Sequence, residues 1–472
     1  MADGKVGKGA MDCSFEIFNA PSRGRGLKTK VFLNKGNRVL SCEPYAFVSR
    51  SEMRGKICDS CLSMGDNLQR CSACKMVYYC SQTCQKKAWG THKLECKNLK
   101  KMSPIMPSDT VRLLALLLLK NDPAKWLSDL VSHSEQIRKE KSDVFAFMFE
   151  MLNKYLGVSM QSSSERVFEL FCKVNCNAFT ICDGELKPIG LGLYQTLAFL
   201  NHSCEPNCIA VFNGPTCHIR SMKNVEEGQE LCIAYTELMR PQSVRQKELK
   251  EQYYFDCKCS RCLNEIEHGS EMNGLKCAKN ECSNAVGFYS GISQDETCSE
   301  CGSDVPNNYT SPSITKLYKK IESTLSTVNQ MTLYSEKRTE ALRICEELLS
   351  EVENILHAQN FQVIKIVDKI SDVCIEMELW NKAIHYCKRS LGGYLKFYPK
   401  YHPSTAIQLY RIGKLQVYLE KLDAGISSLS QARSLLEICY GKQHSLTIQL
   451  NELISQTVQD MYGQQNLSML EQ

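Results

Sequence analysis

The chain has 472 residues, which is long enough for two to four folded domains. Its 43% hydrophobic and 23% charged residues are ordinary for a globular protein, and a formal charge of +5 is too small to indicate nucleic-acid binding by itself. The longest apolar run, residues 113–119, is far shorter than the roughly 20 residues that span a bilayer, and residues 1–11 lack the apolar core of a secretory signal. We therefore expect no membrane association and a location in the cytoplasm and nucleus.

The first predicted elements, between residues 12 and 57, are short strands. Apolar runs predict strands at residues 15–18 and 30–33. Between them, residues 22–27 form a glycine-rich stretch (Ser-Arg-Gly-Arg-Gly-Leu) that we interpret as a turn.

Residues 58–96 contain a dense block of cysteine and histidine. Of the 27 cysteines in the chain, seven lie here, and in a reducing compartment such clusters are more often metal ligands than disulfides. Eight ligands suit two tetrahedral zinc sites, which would supply the folding energy of so short a segment. An interleaved pairing, which the spacing permits but does not prove, would group Cys58, Cys61, Cys80 and Cys84 on one zinc and Cys71, Cys74, His92 and Cys96 on the other.

The central part of the chain changes from helical to strand patterns. Residues 108–172 have helical periodicity. Short strands separated by Asp-Gly, Asn-Gly and Glu-Gly turns then follow. They are predicted at residues 178–182, 208–212, 216–221 and 231–235.

A second group of cysteines follows these strands. Cys257-x-Cys259-x2-Cys262 has ligand spacing and begins 53 residues after Cys204. The pattern predicts a third zinc site that joins Cys204 to this distant segment.

A third group of cysteines has the two-knuckle pattern of a zinc ribbon. It reads Cys277-x4-Cys282-x15-Cys298-x2-Cys301. Zinc binding and unpaired cysteines in an insertion both remain open as interpretations. The other cysteines of the chain are interpreted as small buried apolar side chains.

From about residue 310 the pattern is helical to the end, and it contains a repeat. Three similar five-residue patterns, which begin at Ala341, Ala383 and Gly425, recur every 42 residues. A period in this range predicts stacked helical hairpins that are longer than a standard tetratricopeptide unit.

Several motifs resemble a known family. The first cysteine block, with Tyr78-Tyr79-Cys80 and Trp89, resembles a MYND finger. Further motifs follow the order of a SET domain, namely Gly24-Arg25-Gly26, Asn201-His202-Ser203-Cys204-x-Pro206-Asn207-Cys208, Gly228-x-Glu230-Leu231 and Tyr235. A MYND finger inserted after the first SET strands is similar to the SET and MYND domain-containing lysine methyltransferases, and the similarity runs from about residue 12 to 265. The cysteines of 277–301 are extra sequence that shorter members lack.

This resemblance implies an α+β multidomain protein. Its parts would be a β-rich SET domain with a pseudoknot, an inserted MYND zinc finger, a post-SET zinc site and a C-terminal α-helical domain of the tetratricopeptide-like (TPR-like) kind. We expect an N-terminal SET part at 12–57, the MYND finger at 58–96, a helical insertion at 97–172, the SET core at 173–240, the post-SET segment at 241–265, the candidate zinc ribbon at 274–304 and the helical domain at 310–472.

The resemblance also implies methyl transfer from S-adenosylmethionine to a protein lysine. Because a free lysine has a pKa of about 10.4, roughly one amine in a thousand is neutral near pH 7.4. An apolar aromatic channel would lower that pKa and align the amine, and we expect Phe179, Tyr253 and Tyr235 to line it.

The resemblance assigns catalysis to Tyr235. One vertebrate member of the family has Asn where Arg25 stands, so we expect a main-chain contact with the cofactor at that position. The residues expected at the cofactor are Arg23, Gly24, Arg25, His133, Asn177, Asn201, His202, Tyr235 and Phe255.

Partners are less well determined by the sequence. Residues 56–101 carry nine Lys or Arg against three Asp or Glu, so the MYND finger has a basic face. This face could be merely solvated or contact DNA weakly, whereas the family's MYND fingers bind proline-containing peptides. Substrates could be histone tails or cytoplasmic proteins, and we expect a monomer. One alternative is an adaptor with an inactive SET domain that recruits corepressors, and another is a DNA-binding regulator.

Overall fold

The computed structural model describes residues 14–20, 23–120, 125–157, 159, 161–264, 269–279, 281–286, 297–304 and 311–470. Residues 12–13, 21–22, 121–124, 158, 160, 265, 280, 287–296, 310 and 471–472 of the predicted segments lie outside the described residues. The chain divides into two compact units. Unit 1 comprises residues 1–202, 206–233 and 249–256, and unit 2 comprises residues 203–205, 234–248 and 257–472.

Small sheets form the strand part of unit 1. The strands are β1 (Phe15–Ala20), β2 (Gly24–Thr29), β3 (Arg38–Cys42), β4 (Ala46–Ser49), β5 (Gln69–Arg70), β6 (Tyr78–Tyr79), β7 (Ala178–Cys182), β8 (Pro188–Leu193), β9 (Asn201–His202), β10 (Cys208–Asn213), β11 (Thr216–Ser221) and β12 (Cys232–Ile233). The antiparallel sheets have the orders β1-β2, β5-β6, β10-β11-β3 and β4-β8-β7, and β9 pairs with β12 in parallel.

The first hairpin differs from the prediction. Ala20 pairs with Gly24, so only three residues connect β1 to β2, and residues 24–27 lie in a strand instead of a turn. Gly24 has a φ of 75°, a left-handed conformation that glycine adopts without steric cost. The predicted strand at 30–33 is wrong, because the pairing with β1 ends at Thr29 and this stretch makes only a single bridge, from Leu33 to Val225.

The helices of unit 1 lie between its strands in the chain order. They are α1 (Gln82–Met102), α2 (Asp109–Leu119), α3 (Ser134–Glu140), α4 (Ser142–Leu156) and α5 (Ser164–Asn177), and α6 (Gln242–Tyr253) belongs partly to each unit. The apolar run of α2 is buried against α1, α4, α5 and strands β4 and β8. Among the described residues, no helix combines the length and apolarity needed to cross a membrane.

Unit 2 is mainly helical. It begins with α7 (Ser260–Asn264), α8 (Gly269–Met272), β13 (Leu275–Lys276) and β14 (Ala285–Val286). The long helices are α9 (Ser311–Met331), α10 (Arg338–Val352), α11 (Phe361–Glu376), α12 (Trp380–Phe397), α13 (Pro403–Tyr418), α14 (Leu422–Cys439) and α15 (Ser445–Leu470). Each helix from α10 to α15 packs on the next in the chain, as expected for stacked hairpins.

The 42-residue repeat corresponds to repeated packing positions. Ala341, Ala383 and Gly425 are buried at matching places in α10, α12 and α14. His402 and His444 also correspond, since each Nδ1 accepts a hydrogen bond at 3.2 Å from the backbone N–H two residues later, at the start of α13 and α15. The repeat therefore preserves both the buried faces and the N-terminal caps of the helices.

Candidate functional site

The Asn201-His202 pair is fixed by a short parallel strand pairing. Asn201 pairs with Cys232 and His202 with Ile233. The buried Asn207 side chain strengthens this closure, because its oxygen accepts from Cys232 N at 2.8 Å and its Nδ2 donates to Glu230 O at 2.7 Å. Polar residues can therefore lie buried here with their hydrogen bonds satisfied.

The side chain of Asn201 connects the two glycine-containing motifs. Its Nδ2 donates to Glu230 Oε1 at 2.8 Å and to the Arg25 carbonyl at 3.3 Å. The Glu230 carboxylate also pairs with Arg23. A Cβ at Gly26 would lie 2.9 Å from both Asn201 Nδ2 and Glu230 Oε1, so a side chain there would displace the amide. Glu230 is missing from the predicted site, although it stands in a motif quoted for the resemblance.

Gly24 and the Arg25 side chain have different surroundings. Gly24 is exposed, and a Cβ there would meet nothing within 4 Å. The Arg25 guanidinium donates to the Asp129 carbonyl and lies 4.8 Å from the centre of the Phe199 ring. The side chain of Arg25 is thus engaged by the protein.

Asn177 and His133 lie beside the same stretch of chain. Asn177, buried at the end of α5, donates from Nδ2 to Val131 O at 2.8 Å and to Lys173 O at 2.7 Å. His133 has a φ of 48°, and its ring centre is 5.2 Å from that of Tyr254. Burial lowers the pKa of His133, which favours a neutral imidazole.

His202 and Phe255 are brought together although 53 residues separate them in sequence. Their ring centres are 5.9 Å apart, with His202 buried and Phe255 half-buried. Tyr235, also half-buried, follows β12 by two residues and belongs to unit 2.

The two channel residues expected in unit 1, Tyr253 and Phe179, have different surroundings. Tyr253 lines a largely apolar cavity of about 570 Å³, together with Ala178 and Thr180 of β7. Phe179 is not among its lining residues, since neighbours in a strand point to opposite faces, and its ring packs edge-on to Tyr194 at 6.0 Å. The other apolar lining residues include Met106, Val144, Phe147, Met148 and Met151.

The ligand atoms of the MYND block converge in two groups of four. The groups are Cys58, Cys61, Cys80, Cys84 and Cys71, Cys74, His92, Cys96, each with all ligand atoms within 4.8 Å of one another. The Sγ–Sγ distances are 3.7 Å for Cys61–Cys80 and 3.9 Å for Cys71–Cys96. A tetrahedral zinc with Zn–S bonds of about 2.3 Å has ligand edges of about 3.8 Å, so both groups fit zinc.

A buried ion network supports His92. Its Nδ1 lies 3.6 Å from Glu95 Oε1, and Glu95 binds Arg112 through two hydrogen bonds of 3.2 and 2.9 Å. The Tyr155 hydroxyl donates to the same carboxylate at 3.0 Å. Burial opposes ionisation of Glu95, but Arg112 holds the pKa of this carboxyl below its usual range. A carboxylate behind a ligand histidine can orient the ring. Sequence analysis missed both Glu95 and Arg112.

The post-SET cysteines form a third group within unit 2. The ligand atoms of Cys204, Cys257, Cys259 and Cys262 lie within 4.8 Å of one another, and Cys204 and Cys262 are 3.6 Å apart at Sγ.

Arg245, another residue that sequence analysis missed, adjoins this third group. It is fully buried, with Nε 3.3 Å from Cys204 Sγ and NH2 3.9 Å from Cys262 Sγ. Four thiolates around Zn²⁺ carry a net charge of about −2, which a buried guanidinium offsets. The Cys277, Cys282, Cys298 and Cys301 ligand atoms also converge within 4.8 Å.

Comparisons with known proteins bear on the family. The MYND finger model matches residues 58–96. Histone-lysine N-methyltransferase SMYD3 of Mus musculus is 30% identical over 444 residues, which cover 91% of this chain and 94% of the relative. Histone-lysine N-methyltransferase ASHR1 of Arabidopsis thaliana is 31% identical over 451 residues, covering 90% and 91%. N-lysine methyltransferase SMYD2 of Homo sapiens is 28% identical over 459 residues, covering 93% and 97%.

Proposed function

Because this chain belongs to the family of SET and MYND domain-containing protein-lysine methyltransferases, we propose that its unit 1 motifs hold S-adenosylmethionine and that Tyr235 acts in catalysis. The protein is an enzyme that methylates lysine side chains of proteins. S-adenosylmethionine supplies a methyl group on a sulfonium, which the neutral lysine nitrogen attacks in line.

The fixed orientation of two amide side chains carries the proposal. In Asn201 and Asn177, Nδ2 donates to protein oxygens. Each amide therefore presents its oxygen as an acceptor. Acceptors suit S-adenosylmethionine, which has N–H donors at its α-amino group and on adenine. We assign the adenine ring to the half-buried face of Phe255 beside His202.

The substrate amine must be neutral and aligned. A tyrosine hydroxyl is uncharged near neutral pH, and burial raises the pKa of Tyr253 further. An aromatic, apolar surrounding lowers the pKa of the incoming lysine, and the Tyr235 hydroxyl would supply an acceptor that orients the amine.

Replacing Tyr235 by phenylalanine tests this assignment. Loss of one orienting hydroxyl is expected to lower kcat about 100-fold while the Kd for S-adenosylmethionine stays within about threefold. Turnover is measured with labelled S-adenosylmethionine, and cofactor affinity is measured by calorimetry. The control is Tyr462→Phe, since Tyr462 is an exposed tyrosine of α15. Equal losses of turnover and cofactor affinity would contradict a catalytic role for Tyr235, and so would an unchanged kcat.

We propose that the cavity beside Tyr253 binds an apolar side chain near the target lysine of histone tails or cytoplasmic proteins. Its volume of about 570 Å³ and its methionine-rich lining suit a Leu or Met residue. A panel of histones and cell lysate with labelled S-adenosylmethionine identifies substrates, and alanine scanning of the methylated peptide then tests the cavity. If no apolar residue contributes to KM, the cavity is not a substrate pocket.

We propose zinc as the ion held by both MYND groups and by the Cys204 group. The distances fit, and the thiolates and imidazole are ligands that zinc prefers. Cys259→Ser should remove one zinc by metal analysis and weaken cofactor affinity, because Phe255 lies four residues before Cys259 in the chain. Unchanged zinc content in this variant would contradict the third site.

We propose that the MYND finger binds proline-containing peptides. Trp89 of α1 is exposed and offers an aromatic surface for proline. Trp89→Ala should abolish binding of a proline-rich peptide in calorimetry. Salt-dependent binding to duplex DNA that is lost when Lys86 and Lys87 are replaced would favour a DNA-contacting role instead.

We further propose that the enzyme is a monomer that works in both the cytoplasm and the nucleus. These locations would give it access to cytoplasmic proteins and to histones. Sedimentation equilibrium tests the oligomeric state, and a dimer at micromolar concentration would overturn that part. Cell fractionation tests the location, and confinement to one compartment would overturn the other part.

A further inference from the structure

A fourth group of cysteines lies outside the three sites discussed so far. Cys277 and Cys282 come from one part of the chain and Cys298 and Cys301 from another. Their Sγ atoms are 3.4 Å apart for Cys277–Cys301 and 3.7 Å apart for Cys282–Cys298. These distances are close to the ligand edge of about 3.8 Å for a tetrahedral Zn(Cys)4 centre.

The backbone around Cys298 and Cys301 has the shape of a metal knuckle. Gly302 N donates to Cys298 O at 2.8 Å, and Cys298 N donates to Ser303 O at 2.9 Å. Gly302 has a φ of 69°, which turns the chain back directly after the last cysteine. Both cysteines are therefore presented to the same point.

The residues of this segment that the structure describes form almost no apolar core of their own. Val286 is the one non-cysteine member of the described apolar cluster around Cys277 and Cys298. Strands β13 and β14 have only two residues each. A core composed mainly of sulfur does not bury enough apolar surface to hold its shape, whereas a metal bond to each thiolate would.

We propose that these four cysteines bind a fourth, structural Zn²⁺ ion that fastens residues 274–279, 281–286 and 297–304 to the connection between α10 and α11. Lys276 N donates to Ile355 O at 2.9 Å, and His357 N donates to Gly274 O at 3.0 Å. Asn360, fully buried at the start of α11, donates from Nδ2 to Gly274 O at 3.0 Å. A ring nitrogen of His357 also lies 3.0 Å from Ser283 O, next to Cys282.

The zinc would thus hold the two cysteine-containing loops in the conformation in which Gly274, Lys276 and Ser283 make these hydrogen bonds. None of the residues assigned to methyl transfer belongs to this segment. The proposal is therefore independent of the proposed catalytic role of Tyr235.

Zinc analysis of the intact protein, combined with alkylation of individual thiols, tests this proposal. We expect about four zinc ions per chain. Cys277, Cys282, Cys298 and Cys301 should resist alkylation until a chelator is added, as read by peptide mass spectrometry. The double variant Cys298→Ser/Cys301→Ser should bind one zinc fewer and be cleaved faster by protease near residues 274–304.

A matched control is Cys182→Ser, because Cys182 is half-buried and belongs to none of the four cysteine groups. It should retain every zinc ion. Immediate alkylation of all four cysteines in the wild-type protein would overturn the proposal even if the double variant fails to fold. Disulfides between these cysteines in protein kept under reducing conditions would overturn it as well.

Discussion

At the scale of single residues, the position of the Asn201 amide depends on residue 26 being a glycine. Three groups surround that position, and a Cβ would lie 2.9 Å from Asn201 Nδ2, Glu230 Oε1 and Phe18 Cε1. Because the Asn201 amide is also bonded to Glu230, a shift of one side chain moves both. The orientation that presents the amide oxygen would then be lost.

We therefore predict that Gly26→Ala weakens binding of S-adenosylmethionine about tenfold or more, since overpacking of this kind costs about 1–3 kcal/mol. Zinc content should stay unchanged. Calorimetry with the cofactor measures the effect. Gly90→Ala is the control, because a Cβ at that helical glycine meets nothing within 4 Å. A wild-type cofactor Kd for Gly26→Ala would mean that the Asn201 amide does not contribute to the cofactor site.

At the scale of elements, a single buried arginine connects α2 to α1. Arg112 of α2 is 2% exposed and holds Glu95 of α1, which also accepts from Tyr155 and lies beside the zinc-ligand candidate His92. Removing one partner of a buried ion pair leaves the other charge uncompensated in a low dielectric, which costs more than the pair itself contributes. The helical insertion therefore supports the MYND finger electrostatically.

Arg112→Met should destabilise the protein by about 3–5 kcal/mol in denaturant unfolding. Arg343→Met is the matched control, because Arg343 makes exposed ion pairs with Glu340 and Glu347 that contribute about 1 kcal/mol or less. Adding Glu95→Gln to Arg112→Met should recover part of the loss. Similar losses of unfolding free energy for the two arginine variants would show that the buried ion pair stabilises the protein no more than the exposed pairs do.

These elements also show what sequence could predict. Ligand spacing predicted the same four-residue groups that the structure assembles, because ligand pairs two to five residues apart are brought together by local turns and helix turns. The strand at 30–33 was mispredicted from its apolar residues alone. The pairing that starts at Ala20 and Gly24 instead ends at Thr29, so the partner strand of β1 lies before residue 30.

Residues that approach from distant segments gave no such local pattern. Glu230, Arg112 and Arg245 reach their partners across tens of residues. A charged residue within the apolar run of α2 was the one available indication for Arg112. Phe179 stays a predicted channel residue, and the structure adds that it lies on the opposite face of β7 from Ala178 and Thr180, which line the cavity beside Tyr253.

At the scale of the whole molecule, half-buried Asp368 and buried His402 of unit 2 change the stability in opposite directions as pH changes. Burial raises the pKa of Asp368 to about 7 from an unfolded value of about 3.9. The folded state therefore retains this proton, and its contribution to stability is lost as pH rises from about 4 to about 7. Burial lowers the pKa of His402 to about 4 from about 6.5, so its contribution is lost as pH falls through that range.

Asp368→Asn should remove the pH dependence of stability that comes from Asp368 and leave the one that comes from His402. We expect the free energy of unfolding of the variant to fall more steeply than that of wild type between about pH 6.5 and about pH 4. Tyr394 can still donate to the new amide oxygen, as it does to Asp368 Oδ2 at 3.0 Å. Denaturant titrations across this range measure the slope, with Asp423→Asn at an exposed site as control. Parallel curves for wild type and Asp368→Asn would contradict the assignment.

The convergence of Cys204 with Cys257 has a consequence for the unfolded chain. A metal shared by these cysteines closes a ring of 53 residues, and Tyr235 lies inside it. For a permanent crosslink, closing a ring of this size removes about 4 kcal/mol of chain entropy from the unfolded state. A metal bond achieves this only while the ion stays bound. The conformational freedom of the segment that carries Tyr235 would then depend on zinc being bound, even though Tyr235 is not itself one of the ligands.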